Sequence, residues 1–189
     1  MDNFRRYIHQ VLPLKQEEFE AVESISIIRQ ETRKTHLFKN GEICRHVYFI
    51  EKGFVRVFYY ADGRDITSWF AKEGQIASAT DSLFSGQASD YNIQLVEDST
   101  LIGIDYSKLE LLFDKYPMVE RLARLMTIDT YLKTEDRIKK MLFLTPEERY
   151  ISLLESFPDI VLRVPLGYIA SYLGITQETL SRIRTRINQ

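Results

Sequence analysis

The chain has 189 residues, and 25 Lys and Arg against 27 Asp and Glu give it a formal net charge of −2. That balance excludes a histone-like polycation, because sequence-independent attraction to phosphates needs a large positive excess. With 44% hydrophobic and 28% charged residues the chain folds around a core, and no stretch approaches the roughly 18 apolar residues of a membrane helix.

The start, Met1-Asp2-Asn3-Phe4-Arg5-Arg6, leads into no apolar signal-peptide core, so a cytoplasmic protein with no membrane partner is expected. From residue 4 to about residue 28 the pattern is helical: Phe19, Val22 and the Ile25 to Ile28 cluster recur between Lys15, Glu17, Glu18, Glu20 and Glu23. Residues 35–105 are rich in Val, Ile, Phe, Tyr and Thr, broken by Gly41, Gly53, Gly63, Gly74, Gly86 and Gly103. Many short strands joined by turns follow from that pattern, and they predict an antiparallel β-roll or sandwich. Val47-Tyr48-Phe49-Ile50 and the stretch from Phe54 to Tyr59 flank Glu51-Lys52-Gly53 as one hairpin. Asp62-Gly63 supplies a tight turn before Ile66-Thr67-Ser68-Trp69-Phe70. Val55, Val57 and Tyr59 alternate with Arg56 and Phe58, which predicts one buried face.

After Asp105 the period is helical again. Residues 107–115 form a short helix, and Pro117 opens a rod over residues 117–136, about 30 Å long. Met118, Leu122, Leu125 and Leu132 make a heptad-like seam interrupted by Asp129. Such a helix suits a strap across the roll, simple packing on the sheet, or a two-fold dimer contact. Thr145-Pro146-Glu147-Glu148 caps a further helix that stops at Phe157-Pro158.

The last stretch carries the most information. Leu166 to Leu173 has apolar residues at helical spacing around the small Ala170. Gly174 then supplies a positive-φ turn, Thr176 an N-cap, and residues 177–187 a second helix with Leu180, Ile183 and Ile187 inward. That is the helix-turn-helix layout. The outward face carries Gln177, Glu178, Ser181, Arg182, Arg184 and Arg186. Arg can bind guanine through two hydrogen bonds, Glu can accept from cytosine, and Arg or backbone amides can hold phosphates. Charge divides accordingly: residues 137–189 hold eight Lys and Arg against five Asp and Glu, net +3, leaving −5 for residues 1–136.

Two stretches, Gly41-Glu42 with Val47 to Val57, and Ile169-Ala170-Ser171-Tyr172-Leu173-Gly174-Ile175-Thr176-Gln177-Glu178-Thr179-Leu180-Ser181-Arg182, resemble the CRP/FNR family of bacterial transcription regulators. The resemblance implies an α+β chain: a jelly-roll-like β-roll sensor over residues 1–116, a dimerisation helix over 117–136, and a helix-turn-helix domain over 137–189. It implies a homodimer on a palindromic site in double-stranded DNA, recognition helices about 34 Å apart, and contact with RNA polymerase. Base reading falls on Glu178 and Arg182, with Gln177 and Ser181 beside them and Thr176 capping. The family also places a β-hairpin wing after the recognition helix, whereas the sequence ends at Asn188-Gln189, which shifts phosphate contact toward Arg184 and Arg186.

The cyclic-nucleotide positions depart from the family. Its Gly-Glu pair falls on Ala79-Thr80, and its phosphate-gripping Arg and Ser fall on Asp90 and Tyr91. Asp90 repels a phosphate, so cyclic AMP is not expected as the effector. An effector pocket is expected between roll and long helix, near Ser78, Ala79, Thr80, Asp81, Asp90, Tyr91, Thr127 and Thr130. No cofactor is expected: the one cysteine, Cys44, is too few for a cluster and reads as a small buried hydrophobe on a strand. His9, His36 and His46 are isolated. The roll also resembles a cupin-type metalloenzyme, but Tyr48 stands where a second His is needed and no His follows His46. A third alternative is a protein-interaction module with a degenerate helix-turn-helix, against which Glu178, Ser181 and Arg182 count.

Overall fold

The computed structural model describes residues 1–187. Asn188 and Gln189, the point where a wing would begin, lie outside the described residues. Eight strands among these residues form two antiparallel four-stranded sheets. One runs β1 (Ser26–Glu31), β8 (Ser99–Asp105), β3 (His46–Lys52), β6 (Ile76–Ala77). The other runs β2 (His36–Phe38), β7 (Asn92–Leu95), β4 (Val55–Ala61), β5 (Arg64–Ala71). The antiparallel roll expected from the sequence is the one observed.

Three apolar clusters define the layers. Tyr48, Ile50, Val55, Val57, Ile93 and Leu101 fill the space between the sheets. Outside the first sheet, Phe49, Ile102 and Ile104 pack against helices α1 (Asp2–Val11), α2 (Gln16–Ser24), α4 (Tyr106–Lys115) and the start of α5 (Pro117–Phe143). Outside the second, Phe54 and Phe70 join the core of α6 (Pro146–Ser156), α7 (Ile160–Arg163), α8 (Leu166–Leu173) and α9 (Gln177–Ile187). The remaining helix, α3 (Thr80–Ser85), follows β6.

Several local expectations need correction. The amino-terminal stretch is two helices, and Ile27 and Ile28 belong to β1, where Ser26 pairs with Ile104 and Glu31 with Ser99. Ladder pairing won there over helical spacing, as suits a β-branched run. The stretches around Glu51-Lys52-Gly53 are no hairpin: β3 pairs with β6 and β8, whereas β4 pairs with β5 and β7. The chain crosses between sheets at Gly53, whose φ is +114°. The second turn is a true hairpin, with Asp62 and Gly63 both at positive φ (51° and 71°) between β4 and β5. In β4 the valines do face the roll interior, but Arg56 and Phe58 are buried too, at 2% and 1% exposure. Alternation predicts one buried face only where the other meets water. Cys44 is buried, in the loop before β3 rather than on a strand.

The long helix exceeds its expected span by seven residues, ending at Phe143 instead of Asp136. No breaker intervenes before Pro146, and Glu135–Lys139 and Asp136–Lys140 pairs at 2.8 and 2.6 Å support the added turns. At 27 residues it is about 40 Å long. None of the helices among the described residues is long and apolar enough to cross a membrane.

Candidate nucleic-acid interface

Helices α8 and α9 are joined through Gly174-Ile175-Thr176. Gly174 sits at φ +68°, ψ +34°, the left-handed region, and ends α8. The Ile175 amide donates to the Ala170 carbonyl at 3.1 Å and the Gly174 amide to Ser171 at 3.2 Å, a Schellman closure. Thr176 Oγ1 then accepts from the Thr179 amide at 3.2 Å, capping α9. Leu180 and Ile183 turn inward beside Ile169, Ala170 and Leu173, all buried. Gln177, Glu178, Ser181 and Arg182 are left exposed on the outer face, with Arg184 half-buried. Arg186 is also exposed but leans on α6, 3.1 Å from Glu147. The Glu178 carboxyl is held below its ordinary range by the Thr176 hydroxyl, by its own backbone amide and by the Arg182 charge. It is therefore an ionised acceptor at neutral pH.

The helical module is seated on the outer face of the second sheet. Phe54, Phe70, Phe157, Ile160, Ile169 and Val96 share one core. Each such side chain contributes about 1.5–3 kcal/mol on burial, more than an exposed ion pair. Polar contacts then set the register. The Ser171 hydroxyl donates to Thr67 Oγ1 at 2.9 Å and accepts from the Thr67 amide at 3.1 Å. Arg56 pairs with Asp65 through two bonds of 2.7 and 2.6 Å and lies 3.5 Å over the Tyr168 ring. Arg163 reaches three carboxylates: Glu73 at 2.7 Å, Glu97 at 2.5 Å and Asp159 at 2.9 Å. Reading the sequence missed Arg56 and Arg163, because Glu73 and Glu97 lie 90 and 66 residues from Arg163 and no local spacing announces them.

Comparison with known proteins follows this geometry. Residues 28–116 match the cyclic nucleotide-binding domain family. The chain is 23% identical over 190 residues to the Anaerobic regulatory protein of Pasteurella multocida, covering 93% of this chain and 68% of that one. FixK2 from Bradyrhizobium japonicum superposes with a TM-score of 0.76 at 22% identity, over 87% of this chain and 85% of that chain. A transcriptional regulator of the crp/fnr family from Eubacterium rectale superposes at 0.73 and 17% identity, over 95% and 88%. The chain has the CRP/FNR fold.

Within this roll, the expected effector residues fall on the turn before α3, on α3 itself, on the loop before β7 and on α5. Ser78 donates to the His46 carbonyl at 3.1 Å, and Ala79 is buried ahead of Thr80 at the start of α3. Asp81 accepts from the Ser89 hydroxyl, whose single O–H lies between the two carboxylate oxygens at 2.8 and 3.0 Å. Asp90 is exposed, and Tyr91 packs edge-on against Tyr59. No Lys or Arg occurs anywhere in residues 78–91. Thr127 and Thr130 spend their hydroxyls on Ala123 and Met126 carbonyls of their own helix. The opening beside α3 is lined instead by Cys44, Arg45, Leu83, Phe84, Tyr106 and Glu110. His46 stacks on Tyr48, His36 lies tilted against Phe58, and among the described residues no three His, Cys, Asp or Glu side chains gather as a metal site would require.

The seam of this CRP/FNR-type long helix also divides. Leu122 is buried against the amino-terminal helices, and Met118 and Leu125 are half-buried. Leu132 is 54% exposed and Asp129 is exposed, paired with Lys133 at 2.6 Å. The phenol of Tyr7 is pushed up to about 12, by burial first and by the Asp129 charge second. Ile128, Tyr131, Ile138 and Leu142 form a second, outward stripe, 44% to 71% exposed.

Proposed function

We propose that the chain is a DNA-binding transcription regulator of CRP/FNR type, working as a homodimer on a palindromic promoter site. Residues 1–116 serve as the sensor, the long helix Pro117–Phe143 as the dimer element, and residues 144–189 as the DNA-binding part. The observation that carries this is the capped α9 with Gln177, Glu178, Ser181 and Arg182 free on one face. Arg182 reads guanine, Glu178 accepts from cytosine, and Arg184 with the amides at the start of α9 holds phosphates. The outward stripe of α5 supplies the apolar surface for the two-fold mate. Contact with RNA polymerase follows from the same reading. Cyclic AMP is not the controlling ligand, because the phosphate position carries Asp90 and Tyr91.

Selecting bound sequences from random DNA tests the reading: a two-fold symmetric consensus is expected. Arg182→Ala then loses about 1–3 kcal/mol on that site and relaxes the base preference beneath it. Unchanged binding of Arg182→Ala at both low and moderate salt overturns the assignment. Calorimetry with cyclic AMP is expected to show no binding.

A further inference from the structure

Where β5, α5, α6 and α8 meet, the chain forms a cleft, open to solvent on one side, with a cavity of about 160 Å³. Lys133, Arg137 and Lys140 of α5 and Arg149 of α6 line it, against a single carboxylate, Asp136. Two of these cations have acidic partners: Lys133 lies 2.6 Å from Asp129, and Lys140 lies 2.6 Å from Asp136. Neither guanidinium has a carboxylate partner among the described residues. Arg137 donates to the Tyr172 carbonyl at 3.0 Å and lies 3.6 Å over the Tyr172 ring. Arg149 Nη1 donates to the Leu144 carbonyl at 2.9 Å, while its Nε is buried with no acceptor.

A buried charged donor without an acceptor is unfavourable, and native folds leave few of them unless a ligand or solvent completes the set. The two lining cations without a carboxylate partner among the described residues, Arg137 and Arg149, are both guanidiniums, whose planar fork matches the oxygens of phosphate better than a point acceptor. A monocarboxylate would neutralise only one of the two uncompensated guanidiniums, whereas a phosphate group carries enough charge for both. The volume is below the roughly 300 Å³ at which pockets enclose a drug-sized molecule, so it admits the anionic group alone.

We infer that this cavity is a binding site for a small phosphate-type oxyanion, held by Arg137 and Arg149. The anion is either inorganic or the phosphate of a larger metabolite whose body stays outside. Because β5 belongs to the roll and α6 and α8 to the helical module, an anion seated there fastens one to the other.

Trp69 is the only tryptophan of the chain and lines the same cavity. Titration of the full chain with inorganic phosphate, pyrophosphate and phenyl phosphate, at ionic strength matched with chloride, is expected to change Trp69 emission saturably. Inorganic anions binding as well as phenyl phosphate would identify a free oxyanion as the ligand. Tighter binding of the ester would identify a phosphorylated metabolite. Arg137→Gln and Arg149→Met, each first shown to keep a wild-type circular dichroism spectrum, should each weaken binding about tenfold or more. Calorimetry on the wild type repeats the measurement independently of the fluorophore. Absence of saturable binding by both methods, or wild-type affinity in both variants, overturns the site. The assay uses no DNA, so its result stands apart from that of operator selection.

Discussion

Gly53 shows how much can rest on one residue. Its φ of +114° carries the chain from one sheet to the other, and a Cβ there would lie 2.1 Å from Ser99 Oγ and 2.9 Å from the Ser99 Cα. Both strain and clash act against a side chain, and the nearest backbone cannot move without disturbing β8. Gly53→Ala is expected to lose at least ~2 kcal/mol, measured by urea denaturation. A loss below half of that would mean the crossing is plastic. Glycine at this place was legible in the sequence as a turn signal. What it turns, a crossing rather than a hairpin, was not, because glycine marks backbone freedom and says nothing about which strand receives the chain.

Among the elements, α5 shows the reach of periodicity and its limit. A 3.5-residue repeat over residues 118–132 correctly marks a helix with apolar positions, yet the repeat alone cannot distinguish the stripe that meets the roll from the stripe that faces out. Leu122 lies on the first and Tyr131, Ile138 and Leu142 on the second. If the outward stripe is the dimer surface, Ile138→Glu with Leu142→Glu places two charges in it without touching the roll. Sedimentation is then expected to show monomer where the unaltered chain sediments as a dimer, with the melting temperature of the roll unchanged. A variant that remains dimeric would move the two-fold contact elsewhere. Helix α9 is the contrasting case: its cap, its turn glycine and its inward Leu180 and Ile183 are all local in sequence, and each is legible there.

Over the whole molecule, Arg163 joins the helical module to both turns of the roll that face it. Burial alone would raise the Glu73 carboxyl, but hydrogen bonds from Arg163 and the Gly53 amide outweigh it and hold the group below its ordinary value of 4.5. A depressed carboxylate adds stability that is fully present above that value and is lost as pH falls through the depressed one. Arg163→Met removes the counter-charge of Glu73, Glu97 and Asp159 together. These carboxylates are 32% to 45% exposed, so solvent screening reduces the loss to about 1–3 kcal/mol at pH 7. The gap between variant and wild type should narrow once the pH drops below the ordinary carboxylate value. Urea unfolding at pH 7 and pH 4 measures it, and an equal gap at both would remove the ion cluster as its cause.

The strand-rich middle, the long helix, the capped helix at Thr145 and the helix-turn-helix are all legible along the chain, since each depends on neighbours within a few turns or one hairpin. Charge partition between residues 1–136 and 137–189 was equally plain. Burial of both faces of β3 and β4, the clamping roles of buried Arg56 and half-buried Arg163, and the meeting of four cations in one cavity emerge only on packing. Those facts arise from contacts between residues far apart in sequence, where packing of one layer on another overrides the local period. The net charge of −2 is thus the sum of −5 and +3 over two parts pressed together, with acidic turns of the roll gripping a basic module whose outer α9 face stays exposed.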